Sequence, residues 1–144
     1  MMKPSSPTAP GTASSAIAAI ALGAIVAFCG TMWHASIWYL SQTVYIPWGT
    51  LLALLMTCLA TIWLCLHTQR TWTGGLMGVT IFAIITYFAF GRARDQSVLV
   101  LMNTDLPIGV AGTLWGLGSL FCVTLGIIIA AKSHARNRAK VARD

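Results

Sequence analysis

Charge is what this chain has least of. Only 8% of its 144 residues are charged and 57% are hydrophobic, against roughly 25% charged in a soluble domain. Too few groups remain to face water, which excludes a soluble fold. Acids are scarcest: three in all, Asp95, Asp105 and Asp144. No Lys, Arg, Asp or Glu falls within any of the four long apolar runs. A proton-coupled carrier keeps an ionisable residue inside a span, so that class is not expected here. The four-span small multidrug exporters, for example, depend on a membrane-embedded glutamate that this chain lacks.

Paired cysteines are missing too. Cys29, Cys58, Cys65 and Cys122 all lie in apolar runs and form no CxxC. The four-span quinone-linked disulfide-forming oxidoreductases need extracytoplasmic pairs, so each thiol here reads as a small buried hydrophobe. No metal-ligand cluster, no nucleophile with its base and no phosphate loop is visible. The expectation is therefore no catalytic residue, no cofactor, no metal and no enzyme. The histidines offer no haem site: His34 and His67 lie near opposite ends of successive spans, about 25–30 Å apart by helix rise. Both are expected at the interface, satisfied by headgroups or water.

What is present is length without charge. The run 47–67, PWGTLLALLMTCLATIWLCLH, makes a helix of about 30 Å, the thickness of a bilayer's hydrocarbon core. Pro47 is placed to open it, since proline lacks a donor unneeded at a helix start. Pro107 opens a second such helix, where Leu106-Pro107-Ile108-Gly109 echoes Ile46-Pro47-Trp48-Gly49. The fold class is all-α: a polytopic membrane protein with four transmembrane helices at 16–39, 47–67, 74–90 and 107–131. The first run outlasts a signal peptide's apolar core, so we read it as a retained span. The Pro/Ser/Thr/Gly-rich segment 1–15 is expected to be disordered, and the basic tail 132–144 to fray.

Short linkers make two antiparallel hairpins, and their matching prolines and glycines suggest an internal parallel repeat about a pseudo-twofold along the membrane normal. Small residues at four-residue spacing mark close-packing faces: Ala19, Gly23 and Ala27, then Gly74 and Gly78, then Gly112 and Gly116. Thr80, Thr86 and Tyr87 read as interhelical hydrogen bonders. Trp33, Trp38, Tyr39, Tyr45 and Trp48 form a cluster of the kind found at headgroup level. The connection 92–106 holds Arg92, Arg94, Asp95 and Asp105. These form a candidate outer-face docking set, with Asp105 also suited to cap the fourth helix. The apolar stretch 98–102 is too short to span.

The net charge of +6 is not a nucleic-acid footprint, because five of nine bases lie in the last thirteen residues. Their placement after the last span fits a cytoplasmic flank and an attraction to anionic lipid. Lys3, Arg70 and the tail on one side outnumber Arg92 and Arg94 on the other, so both termini are expected in the cytoplasm.

YIPWGTLLAL, the turn with Arg70, GRARDQSVLV and LPIGVAGTLWGLG resemble a family of small four-span actinobacterial membrane proteins of unknown function. Members are often encoded beside the mycothiol-pathway deacetylase. The resemblance covers about residues 16–131 and implies a plasma-membrane location and no established activity. Small subunits of this shape also occur in actinobacterial respiratory supercomplexes. The expectation is a non-enzymatic subunit that packs against other membrane protein subunits, in the lipid bilayer, through its Gly/Ala faces. The alternative is a small homo-oligomeric transporter or flippase for an uncharged or lipidic solute.

Overall fold

The computed structural model describes residues 11–41, 44–90 and 105–143. Four helices, α1 (Thr12–Trp33), α2 (Trp48–Thr68), α3 (Trp72–Phe90) and α4 (Pro107–Val141), are each long and apolar enough to cross a membrane. The chain is a multi-pass membrane protein.

Each span differs at an end from its sequence reading. α1 starts earlier, at Thr12, with the Ser14 and Ser15 hydroxyls donating to the Gly11 carbonyl. It stops at Trp33 rather than 39. Beyond it, β1 (Trp38–Tyr39) pairs antiparallel with β2 (Tyr45–Ile46), in the register Trp38↔Ile46 and Tyr39↔Tyr45. Aromatic and β-branched side chains favour that pairing over another helical turn. Pro47 is the residue before α2, not its first. Between α2 and α3, Gln69 takes the left-handed conformation (φ 56°), and the Gln69 N–H closes on the Cys65 carbonyl. α4 does not fray at 132 but runs to Val141. Ala130, Ala131, Lys132, Ala135, Arg136, Arg138, Ala139 and Lys140 are strong helix formers, and bases at a helix C-terminus suit its dipole.

The helices lie in the order α1, α2, α4, α3 around the bundle. α1 packs on α3 and α2 on α4, so equivalent helices of the two hairpins are neighbours. A twofold along the normal would set them at opposite corners; the hairpins are displaced sideways instead. Small residues permit this. A Cβ added at Gly23 would lie 3.0 Å from the Met77 carbonyl oxygen and 3.0 Å from the Thr80 Cβ. At Gly118 it would meet Leu54, and at Gly126, Thr61. α2 turns one stripe inward: Gly49, Thr50, Ala53, Thr57, Thr61, Leu64, Cys65 and Thr68, the spacing of one helical face.

Candidate functional site

Three buried polar side chains, Thr31, His34 and Thr50, meet at the end where α1 turns into α2. Gly49 lets the chain double back. Its N–H donates to the Ser36 carbonyl at 3.1 Å, and an added Cβ would run into the Trp33 carbonyl oxygen and come within 2.8 Å of the Ser36 Cβ. That approach sets Thr50 against the end of α1. The Thr50 hydroxyl lies 2.9 Å from the His34 carbonyl and 3.4 Å from the Ala111 carbonyl of α4. From α4, Trp115 reaches across: its indole Nε1 donates to Thr31 Oγ1 at 3.3 Å. Its ring also fills the space that a side chain at Gly30 would need.

His34 closes the junction. It is 1% exposed, not the interfacial histidine expected from sequence. Nδ1–H donates to the Thr31 carbonyl at 2.6 Å, and Nε2 is covered without a partner. His34 lies one residue beyond the α1 span. Burial pushes its imidazole below the ordinary value, outweighing the bond to Thr31, because desolvation penalises the charged form. Burial therefore favours the neutral imidazole. Such a junction can tie α1, α2 and α4 together; it holds two hydroxyls, an indole and an imidazole, with no carboxylate, ammonium or guanidinium among its described residues.

His67 is exposed at the far end of α2, stacked on Trp63 with centroids 5.0 Å apart. By helix rise, Thr50 and His67 are about 25 Å apart, so the two histidines share no site. Among the described residues no three His, Cys, Asp or Glu gather where a metal could sit. The four cysteines are free thiols.

Ala19, Gly23, Ala27, Gly74, Gly78, Gly112 and Gly116 are all buried. An added Cβ at Gly74 would meet Cys65 Sγ and Ile127, and one at Gly78 would meet Val123. These small-residue faces are occupied within the chain, so they are not free to take a partner, as the sequence reading had supposed. Thr80 bonds the Leu76 carbonyl of its own helix rather than a neighbour's. Of the docking set, Arg92, Arg94 and Asp95 lie outside the described residues, as does 98–102. Asp105 does not hold the cap position: that residue is Leu106, without a side-chain cap bond.

The aromatic cluster does gather at the hairpin. Trp33, Trp38, Tyr39 and Trp48 are exposed, with Trp38 and Trp48 centroids 5.9 Å apart and Tyr39 and Tyr45 6.4 Å apart. Sequence reasoning passed over Gly30, Gly49, Thr31 and Thr50 as a set. The one available signal was the glycine two residues after each of Pro47 and Pro107. No family model, no curated protein and no solved structure matches the chain.

Proposed function

We propose that this protein is a non-enzymatic subunit of a larger plasma-membrane complex, with both termini cytoplasmic. One observation carries the reading. Among the described residues, the interior of the four spans holds hydroxyls, thiols and apolar groups but no carboxylate, ammonium or guanidinium. Proton-coupled transport keeps such groups at depth, and the one buried imidazole among the described residues, His34, lies beyond the end of α1. What the chain offers instead is surface. Val79, Leu117 and Phe121 are each at least 65% exposed on the spans, and partner helices would pack there rather than on the Gly/Ala faces.

The resemblance to small four-span actinobacterial proteins supports the plasma membrane, and respiratory complexes are the first place to look for partners. The test is purification in mild detergent and identification of what co-purifies. Stoichiometric membrane subunits are expected. A homo-oligomer alone would overturn the reading in favour of a transporter or flippase. The excess of bases on the tail side supports the orientation. A reporter fused after Asp144 should be active only in the cytoplasm, and activity outside would reverse the topology.

A further inference from the structure

The opposite end of the bundle, where the α2–α3 turn meets the extension of α4, carries a second feature. Six bases stand there: Arg70 in the turn, and Lys132, Arg136, Arg138, Lys140 and Arg143 along or just past α4. No acid accompanies them among the described residues. They are not spread evenly. Lys132, Arg136 and Lys140, four apart, share one side of α4 and line a recess with Ser133 and Asn137. On the other side a recess of about 350 Å³ is walled by Gln69, Arg70 and Thr71 from the turn, by Trp72 at the start of α3 and by His134 and Arg138 from α4.

Several of these side chains are held in place. Arg70 Nη1 donates to Thr12 Oγ1 at 2.6 Å, and Gln69 Nε2 to the Leu66 carbonyl at 2.6 Å. His134 Nε2 is covered and has no hydrogen-bond partner. The depth is also defined. The apolar part of α4 ends at Ala131, so Arg138 sits about 10 Å further along the axis, within a side chain's reach of the headgroup layer. Trp72, 42% exposed, supplies the amphipathic ring usual at that level. Two guanidinium forks facing one recess suit phosphate oxygens, which they bind bidentately.

We propose that this recess is a binding site for the headgroup of one anionic phospholipid, in the leaflet that carries the tail. The site is distinct from a general attraction of a basic tail to a charged surface, because it requires Arg70 and Arg138 and not Lys140. Full-length protein in uncharged detergent is incubated with equimolar phosphatidylglycerol and phosphatidylcholine, and retained lipids are counted by native mass spectrometry.

Phosphatidylglycerol should be retained in preference. Arg70→Gln and Arg138→Gln should each weaken its retention about tenfold or more, as for loss of a charge-assisted hydrogen bond, and Lys140→Gln less than about threefold. Arg138 lies on the helical extension past the spans, so its variant leaves the bundle folded, as an unchanged size-exclusion profile will verify. Equal losses from Arg138→Gln and Lys140→Gln would overturn the site in favour of diffuse attraction. So would equal retention of the two lipids. Displacement by millimolar inorganic phosphate would assign the recess to free anions instead.

Discussion

Gly49 is where one added methyl group should do most harm. A Cβ there meets backbone, the Trp33 carbonyl, and not the yielding tip of a side chain. The α1–α2 corner must therefore open. Opening it breaks the Gly49 N–H bond to Ser36 and the Thr50 hydroxyl bond to His34, about 1 kcal/mol each. Overpacking adds about 1–3 kcal/mol. Alanine's helix propensity returns roughly 1 kcal/mol, leaving a net loss of about 2–4 kcal/mol for Gly49→Ala. Gly75→Ala is the matched control, since a Cβ at Gly75 meets nothing within 4 Å; it should be neutral or stabilising by up to about 1 kcal/mol. Thermal unfolding in mild detergent, followed by tryptophan fluorescence, compares the two. Equal melting of Gly49→Ala and Gly75→Ala would refute the corner as a steric lock.

Trp115→Ala should destabilise the bundle by about 3–5 kcal/mol, as for other buried aromatics, and Trp115→Phe by clearly less; the same melts measure both, and a Trp115→Ala protein that melts like wild type would show that the indole is not a packing element. The His34 imidazole, held below its ordinary value of 6.5 in the fold, takes up a proton more readily in the unfolded chain. Stability is therefore complete above that pH and declines as pH falls below it. The decline should flatten in His34→Asn, and a variant with an unaltered pH profile would remove His34 as its source.

The spans were legible because absence of charge over twenty residues has few explanations. Their ends were harder. Nothing in Ser36-Ile37-Trp38-Tyr39 distinguishes one more apolar helical turn from a strand, and only pairing with Tyr45–Ile46 decides it. The tail looked frayed because it is polar, yet its alanines, lysines and arginines continue α4 once the helix is nucleated in the membrane. Four-residue spacing picked out seven small residues that the fold buries, but it could not say that their partners belong to the same chain. Gly30 has Val26 and His34 at its four-residue positions, so no pattern marked it; only Trp115, eighty-five residues later in the chain, gives it a reason. The burial of His34 was likewise invisible, because it depends on α2 and α4 arriving from elsewhere.

The threonines of α2 set an order of events. Thr57, Thr61 and Thr68 each donate to a carbonyl one turn back on their own helix, at 2.8 Å. Each hydroxyl travels with its acceptor, so α2 can enter lipid by itself without leaving those donors unmet. Assembly adds to these hydroxyls the Thr68–Thr73 contact at 2.9 Å and a long one from Thr61 to Met77 Sδ, both toward α3. Elsewhere the choice of neighbour falls to shape: glycine hollows accepting Leu54, Thr61, Val123 and Trp115. A helix so provided for can insert early and find its companions later.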